Sequence, residues 1–360
     1  MTLHVRLSDL DYALPEELIA QEPAEPRDSS RLMTLERATG RIAHHRFTEF
    51  PEMLSPGDLL VLNDTRVVPA RLKGHRSAPG CSAAVEVLLV ERVERSDAGA
   101  KETWRALVKG THRPGDPLEL DGGLTGRLVR PDEDDLFLVE LSADGGAGGV
   151  AGAIDRAGLP PTPPYVRRSP EDPRLRTDLN RYQTIYAREP GAIAAPTAGL
   201  HFTPEILGRI RDRGIQTASL TLHVGPGTFQ PVRAERIEDH RMHAEPFWIS
   251  DDLARAVADA RRRGGRVVAV GTTVTRALEF SAEDGARHVR PGSGRCDLFI
   301  HPGYRFRVVD ALLTNFHLPR STLLILVAAF AGLDPVLDAY RSAVASRYRF
   351  YSYGDAMMIA

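Results

Sequence analysis

The sequence predicts an α/β protein that carries a separate all-β segment. Three observations predict it. Two fully apolar runs, Leu59-Leu60-Val61-Leu62 and Val267-Val268-Ala269-Val270, suit strands of a sheet covered on both faces. After residue 200, such runs alternate with amphipathic helical patterns. Between residues 67 and 150, short β-branched runs recur between Gly, Pro and Asp clusters, the texture of a small barrel or sandwich.

The elements follow in chain order. A short helix is expected after Leu14-Pro15, with proline near its first turn. The strand at 59–62 follows Pro56-Gly57 and ends in the polar cluster Asn63-Asp64-Thr65-Arg66. Strands of the all-β segment fall at 85–90, 104–108, 118–120, 124–129 and 136–141. Residues 143–152 are rich in Gly and Ala and read as a boundary or flexible loop. The Pro-rich run at 158–165 should be stiff and extended. Thr203-Pro204-Glu205 starts a helix, with an N-cap hydroxyl before proline, and Gly214 ends it. A strand follows at 220–224. Residues 251–263 form a helix with Leu253, Ala254, Val257 and Ala260 on one face, closed by Gly264-Gly265. After the strand at 267–270, Gly271-Thr272-Thr273 opens a helix that runs toward Phe280. Short strands at 298–300 and 311–313 and helices at 321–330 and 335–345 complete the chain.

Composition narrows the class. With 360 residues, 42% of them hydrophobic, the chain can bury a large core. Two cysteines, Cys81 and Cys296, exclude a disulfide scaffold and a cysteine-rich zinc module. Residues 1–6 lack the apolar run of a signal peptide, and no apolar stretch reaches membrane-spanning length, so a cytoplasmic protein without membrane contact is expected. The net charge of −2 conceals an asymmetry: −8 across residues 1–157 against +6 across 158–360. All basic residues of the second part are arginine, a side chain suited to bidentate phosphate contact. A GC-rich genome would also supply arginine.

Several segments carry residues suited to chemistry. Val270-Gly271-Thr272-Thr273 joins an apolar strand to a helix whose first N–H groups can hold a carboxylate or phosphate. It is not the Gly-x-Gly-x-x-Gly fingerprint, so no nicotinamide cofactor is inferred. His201, His223, His240, His243, His301 and His317 lie near predicted strand ends, where imidazole can transfer protons near neutral pH. His240-x-x-His243-x-Glu245 has a spacing that can bind metal, but zinc needs three or four ligands in fixed geometry, and no metal is expected. Asp64, Arg66, Asn315 and Asp355 sit in polar segments beside apolar runs. Arg349 lies in the aromatic end piece Tyr348-Arg349-Phe350-Tyr351-Ser352-Tyr353, which can stack on a base.

Longer motifs then point to one family. Gly57-Asp58-Leu59-Leu60-Val61-Leu62-Asn63-Asp64-Thr65-Arg66-Val67-Val68-Pro69-Ala70-Arg71-Leu72, Arg181-Tyr182-Gln183-Thr184-Ile185-Tyr186-Ala187 and Ala195-Pro196-Thr197-Ala198-Gly199-Leu200-His201-Phe202-Thr203 are three of them. Leu222-His223-Val224-Gly225-Pro226-Gly227-Thr228-Phe229, Thr314-Asn315-Phe316-His317-Leu318-Pro319 and the end piece through Gly354-Asp355-Ala356-Met357 are three more. From Leu7 to Met358 the chain resembles the S-adenosylmethionine:tRNA ribosyltransferase-isomerases of queuosine biosynthesis. The resemblance implies an α/β main domain, a mixed sheet with flanking helices, interrupted by an inserted all-β barrel domain. On this chain that places the catalytic domain at 1–66 and 153–360 and the insert at 67–152.

The resemblance also implies the reaction. The ribosyl moiety of S-adenosylmethionine, a co-substrate, is transferred to 7-aminomethyl-7-deazaguanine at the wobble position of a tRNA and isomerised. The product is epoxyqueuosine-tRNA, and adenine and methionine leave. His223, His201, His243, Glu245 and His317 are then candidates for its acid–base steps. Gly271, Thr272 and Thr273 are candidates for the methionyl carboxylate, and Asn315 and Asp355 for ribose or adenine. Arg66, Arg181, Arg276 and Arg349 are candidates for tRNA phosphates, on charge alone, in a protein expected to be monomeric. The segment 77–84, the 145–152 link and Cys296 depart from the family pattern, mostly in the insert. Two alternatives therefore stand beside this reading: the same chemistry on a free deazaguanine or small amine, and a non-catalytic tRNA-binding protein. A metal-dependent hydrolase using His240 and His243 is the weakest.

Overall fold

The computed structural model describes residues 5–360 except positions 79–80, 97–98, 134, 144–147, 170, 226, 228–231, 233, 235, 284 and 286. The strands before and within the insert are β1 (Arg31–Leu35), β2 (Ile42–Arg46), β3 (Leu59–Asn63), β4 (Thr65–Val67), β5 (Arg71–Ala78), β6 (Cys81–Arg95), β7 (Lys101–Lys109), β8 (Pro117–Leu120), β9 (Leu124–Pro131) and β10 (Phe137–Ala143). Helices α1 (Gly149–Ala157) and α2 (Arg174–Arg181) follow, then β11 (Glu189–Ala192), α3 (Pro204–Asp212), β12 (Gln216–Leu222) and β13 (Glu245–Ile249). The chain ends with α4 (Asp251–Arg262), β14 (Val267–Val270), α5 (Thr272–Phe280), β15 (Gly292–Cys296), β16 (Ala311–Asn315), α6 (Thr322–Ala331), α7 (Leu333–Ala345) and β17 (Ala356–Ile359).

The main sheet has nine strands in the order β15-β13-β12-β3-β14-β16-β17-β1-β2. Its centre, β12-β3-β14-β16, is parallel. β17 runs antiparallel to β16 and parallel to β1, so the sheet is mixed. Alternation explains why the central strands are apolar throughout. Leu59, Val61, Val267 and Ala269 face one core with α4 to α7, while Leu60, Leu62, Val268 and Val270 face a second core with α3, Phe47 and Phe50. Cap hydroxyls set the helix starts: Thr203, Ser250 and Ser321 each accept a bond from a backbone N–H three residues on. No single helix among the described residues is long and apolar enough to cross a membrane, and α6 lies in the core.

The insert is a closed six-stranded barrel, β10-β7-β6-β5-β8-β9. Closure removes the open edges a small sheet would expose. Leu72, Val87, Leu89, Ala106, Leu128 and Val139 fill it, together with Val150, Ala153 and Ile154 of α1. The Gly/Ala-rich link thus becomes, from Gly149, a helix packed on the barrel, and the expected boundary at 152 falls inside it; positions 144–147 lie outside the described residues. β4 and β11 pair in parallel where the chain leaves and re-enters the main domain.

Two sequence expectations need correction. The strand expected at 298–300 is irregular; Leu298 uses its carbonyl to accept from Arg276 Nε at 3.0 Å. The sheet edge there is β15, Gly-Ser-Gly-Arg-Cys, which pairs with β13. After Pro15 the chain makes only the 3₁₀ turn Glu16–Leu18.

Candidate active site

The carboxyl ends of the parallel strands converge, the usual place for ligands in open α/β sheets. Asn63, which ends β3, is their buried node. Its Nδ2 donates to Leu222 O at 3.0 Å and Thr273 Oγ1 at 3.2 Å, and its Oδ1 accepts from Thr65 N and Leu222 N, both at 3.1 Å. One amide thus ties β3, β12 and the start of α5 together. Gly271 stands at φ +95°, a conformation that favours glycine, and turns β14 into α5. The first N–H groups of α5 lack intrahelical partners, and Thr272 and Thr273 line a small cavity of about 50 Å³ together with Thr314, Asn315, His317 and Tyr351. Tyr351 is held at φ +75° by Phe316 O, which accepts its N–H at 3.0 Å, and by Asn315 Nδ2, which donates to its carbonyl at 2.9 Å.

A larger cleft of about 700 Å³ opens between barrel and sheet. Val90, Arg92 and Trp104 of the barrel line it on one side, and His223, His243 and Glu245 on the other. Val224 stands in the walls of both spaces. The half-buried His223 ring is fixed by a hydrogen bond between Nδ1 and Thr65 Oγ1 at 2.8 Å and lies flat against Gly191. Desolvation by burial lowers its pKa, so the ring is mainly neutral at neutral pH and able to accept a proton.

A family model described as "Queuosine biosynthesis protein" matches residues 7–359. The chain is 52% identical to the S-adenosylmethionine:tRNA ribosyltransferase-isomerase of Pelobacter propionicus, covering 98% of this chain and 99% of that one. It is 52% identical to the enzyme of that name from an Anaeromyxobacter species, covering 99% of each. This chain belongs to the queuosine biosynthesis protein family. The crystal structure of the S-adenosylmethionine tRNA ribosyltransferase of Thermotoga maritima, 40% identical, aligns over 98% of this chain and 100% of that one with a TM-score of 0.54. Like the curated family members it matches, the chain is an enzyme, a ribosyltransferase-isomerase.

The fold separates the family-derived candidates into groups. His223, His243 and Glu245 share the large cleft; Gly271, Thr272, Thr273, Asn315 and His317 share the small cavity. His201 lines neither. It is buried behind Phe47 with Nδ1 2.8 Å from Ser30 Oγ, and burial pushes its pKa down to about 4. His317, bonded through Nε2 to Thr314 Oγ1 at 2.8 Å, is pushed by burial to about 3. Burial keeps both rings neutral at neutral pH.

Three expectations are corrected by burial and pairing. Arg276 is not a phosphate contact: it is 5% exposed, forms an ion pair with Glu245 and donates to Leu298 O and Cys296 O. Glu245 accepts from Gly225 N at 2.8 Å with its other oxygen, so both of its oxygens are engaged and it positions the loop carrying His223. Asp355 lies outside both spaces, where it accepts from Arg31 N and Arg349 N and pairs with Arg31 at 3.1 Å. Arg181 and Arg349 are half-buried, Arg181 pairing with Glu25 and Arg349 donating to Glu22 O. Arg66 is exposed and makes no hydrogen bond or ion pair among the described residues. Pro226, Thr228 and Phe229 of the His223 motif lie outside the described residues. Among those described, no three His, Cys, Asp or Glu side chains are grouped to hold a metal.

Thr65, Gly191 and Trp104 were not singled out from sequence, and Tyr351 only as part of the aromatic end piece. Thr65 stood in a flagged polar cluster; nothing in the pattern around Gly191 or Trp104 distinguished them.

The buried histidines give a stability prediction. Neutral in the fold, they take up protons when the chain unfolds below pH 6.5, so stability falls as pH drops from 6.5 toward 4. Each should cost roughly 2 kcal/mol between pH 7 and pH 5. Urea denaturation at both pH values should show a smaller loss in a His317→Gln variant; an equal loss contradicts the assignment.

Proposed function

We propose that the enzyme transfers and isomerises the ribosyl moiety of S-adenosylmethionine onto 7-aminomethyl-7-deazaguanine at the wobble position of tRNA, releasing adenine and methionine in the cytoplasm. The observation that carries this reading is the pair of neighbouring spaces with Val224 in both walls. One is floored by a helix N-terminus suited to the methionyl carboxylate, and the other is open to a base presented from outside. The relatives are named for S-adenosylmethionine and tRNA, which supports the same pair of substrates here.

In this reading, Thr272 and Thr273 hold the carboxylate through backbone N–H groups, and Asn315 and Tyr351 face the nucleoside. The sulfonium acidifies the 5′ carbon. With Nδ1 of His223 bonded to Thr65 Oγ1, Nε2 is assigned as the base for that proton. Exposed Arg66, on β4 next to Thr65, meets a tRNA phosphate.

Two variants probe this arrangement. A methyl group at Gly191 would approach the His223 ring to 2.8 Å. Gly191→Ala should therefore lower kcat for adenine release while leaving the KM for S-adenosylmethionine unchanged; unchanged kcat contradicts the placement of His223. Tyr351→Gly should relieve about 1–3 kcal/mol of backbone strain yet raise the KM for S-adenosylmethionine. Greater stability with an unchanged KM would remove Tyr351 from the site.

The substrate is tested by adenine release from S-adenosylmethionine with tRNA bearing 7-aminomethyl-7-deazaguanine or with the free base. Turnover with the tRNA alone is expected. Turnover with only the free base overturns the tRNA assignment.

A further inference from the structure

We propose that Trp104 is the platform on which the target base stacks, and that Glu102 is its positioning residue. The proposal rests on the tRNA reading above and names the contact through which the barrel takes part.

Glu102 and Trp104 lie two apart on β7 and share a face of the strand. The next residue in that register, Ala106, is in the barrel core, so the pair ends the inward-facing row. Trp104 packs partly on that core and otherwise lines the large cleft, which also contains His223. Its indole Nε1 donates to Glu102 Oε2 at 2.9 Å. Glu102 is 1% exposed, and its other oxygen has no hydrogen bond, only ion pairs with Arg95 at 3.5 Å and Arg92 at 3.7 Å. Arg92, the cross-strand partner of Trp104, sets its guanidinium 6.0 Å from the indole ring centre.

Burying a carboxylate is unfavourable and unnecessary for closing a barrel; an aliphatic residue would pack there at lower cost. What the carboxylate does is hold the indole in one orientation. A fixed, partly exposed aromatic face in a cleft of this volume suits a flat base swung out of an anticodon loop, and single-stranded bases are commonly recognised by stacking on such rings.

The chain has two tryptophans, and Trp248 is exposed on β13. In a Trp248→Phe protein, Trp104 is the sole indole. Its fluorescence should be quenched saturably by tRNA carrying the deazaguanine and not by the same tRNA made abasic at the wobble position. Equal responses to the two, or none, overturn the proposal. In kinetics, Trp104→Leu keeps the barrel end filled but removes the stack; its KM for tRNA should rise about 5- to 150-fold, with the KM for S-adenosylmethionine unchanged. Trp104→Phe should restore most of the affinity, and Glu102→Gln should keep it because its amide oxygen still accepts from the indole. A Trp104→Leu protein with wild-type KM for tRNA makes the ring a plug and overturns the stacking role. Adenine release by the wild-type enzyme with this tRNA is read in parallel: its absence counts against the function, whereas its presence with an unmoved Trp104→Leu counts against the platform alone.

Discussion

Replacing His223 by alanine is expected to lower kcat for adenine release by about 10²–10⁴-fold in a protein of unchanged stability, the usual worth of a positioned general base. The size follows from its setting. The ring is fixed by Thr65 and Gly191, is kept neutral by burial, and lines the cleft beside the sheet's carboxyl ends. Thr65→Val should show a smaller loss, since the imidazole stays but loses its orienting hydroxyl. The pH profile gives an independent sign. Burial lowers the His223 pKa below its ordinary 6.5, so the active, neutral form persists into mild acid. The acidic limb of kcat/KM should lie below pH 6.5 and vanish in His223→Ala. A His223→Ala enzyme with full turnover removes this residue from the chemistry.

The second large effect is on stability. Glu245→Ala should destabilise the protein by about 3–5 kcal/mol, because it leaves the Arg276 guanidinium buried without its partner. A double replacement, Glu245→Leu with Arg276→Met, should recover much of that loss, since apolar residues of similar size can fill such a site. Urea denaturation measures both. The same pair separates two roles for arginine. Arg66→Ala should reduce the dependence of tRNA affinity on salt by about one phosphate contact, with stability unchanged. Arg276→Met should lower stability instead. An Arg276→Met protein of wild-type stability with a reduced salt slope would restore Arg276 to the tRNA surface.

The arginine case shows what can be read from sequence and what cannot. Net charge by segment exposes an excess of arginine but not its burial; Arg276 sits on a helix whose other residues are nearly all buried, and only the fold brings Glu245 to it. β3 and β14 were legible because a strand buried on both faces must be apolar throughout. α3 was legible from its cap and glycine stop, and α4 from its apolar face and the Gly264-Gly265 that closes it. β15 was not, because Gly-Ser-Gly-Arg has neither alternation nor β-branching and is held as an edge by its pairing with β13. In the site, Gly271-Thr272-Thr273 was legible as a strand-to-helix junction. His201 and His317 were visible as histidines, but their burial, which sets their protonation, was not. Gly191 acts through His223, 32 residues on, and Trp104, though bonded to Glu102 two residues before it, acts through the cleft it lines, which only the fold creates.

The proposed function requires that the 5′ carbon of S-adenosylmethionine lose a proton as its ribosyl carbons pass to tRNA. It is tested most directly with S-adenosylmethionine carrying two deuterium atoms at that carbon and tRNA bearing the aminomethyl deazaguanine, followed by digestion and mass measurement of the modified nucleoside. The expected product is a nucleoside that has gained the ribosyl-derived ring with one deuterium, formed in equal amount with adenine and lost in the His223→Ala enzyme. A nucleoside retaining both deuterium atoms, or adenine released with no mass gained by the tRNA, would contradict it.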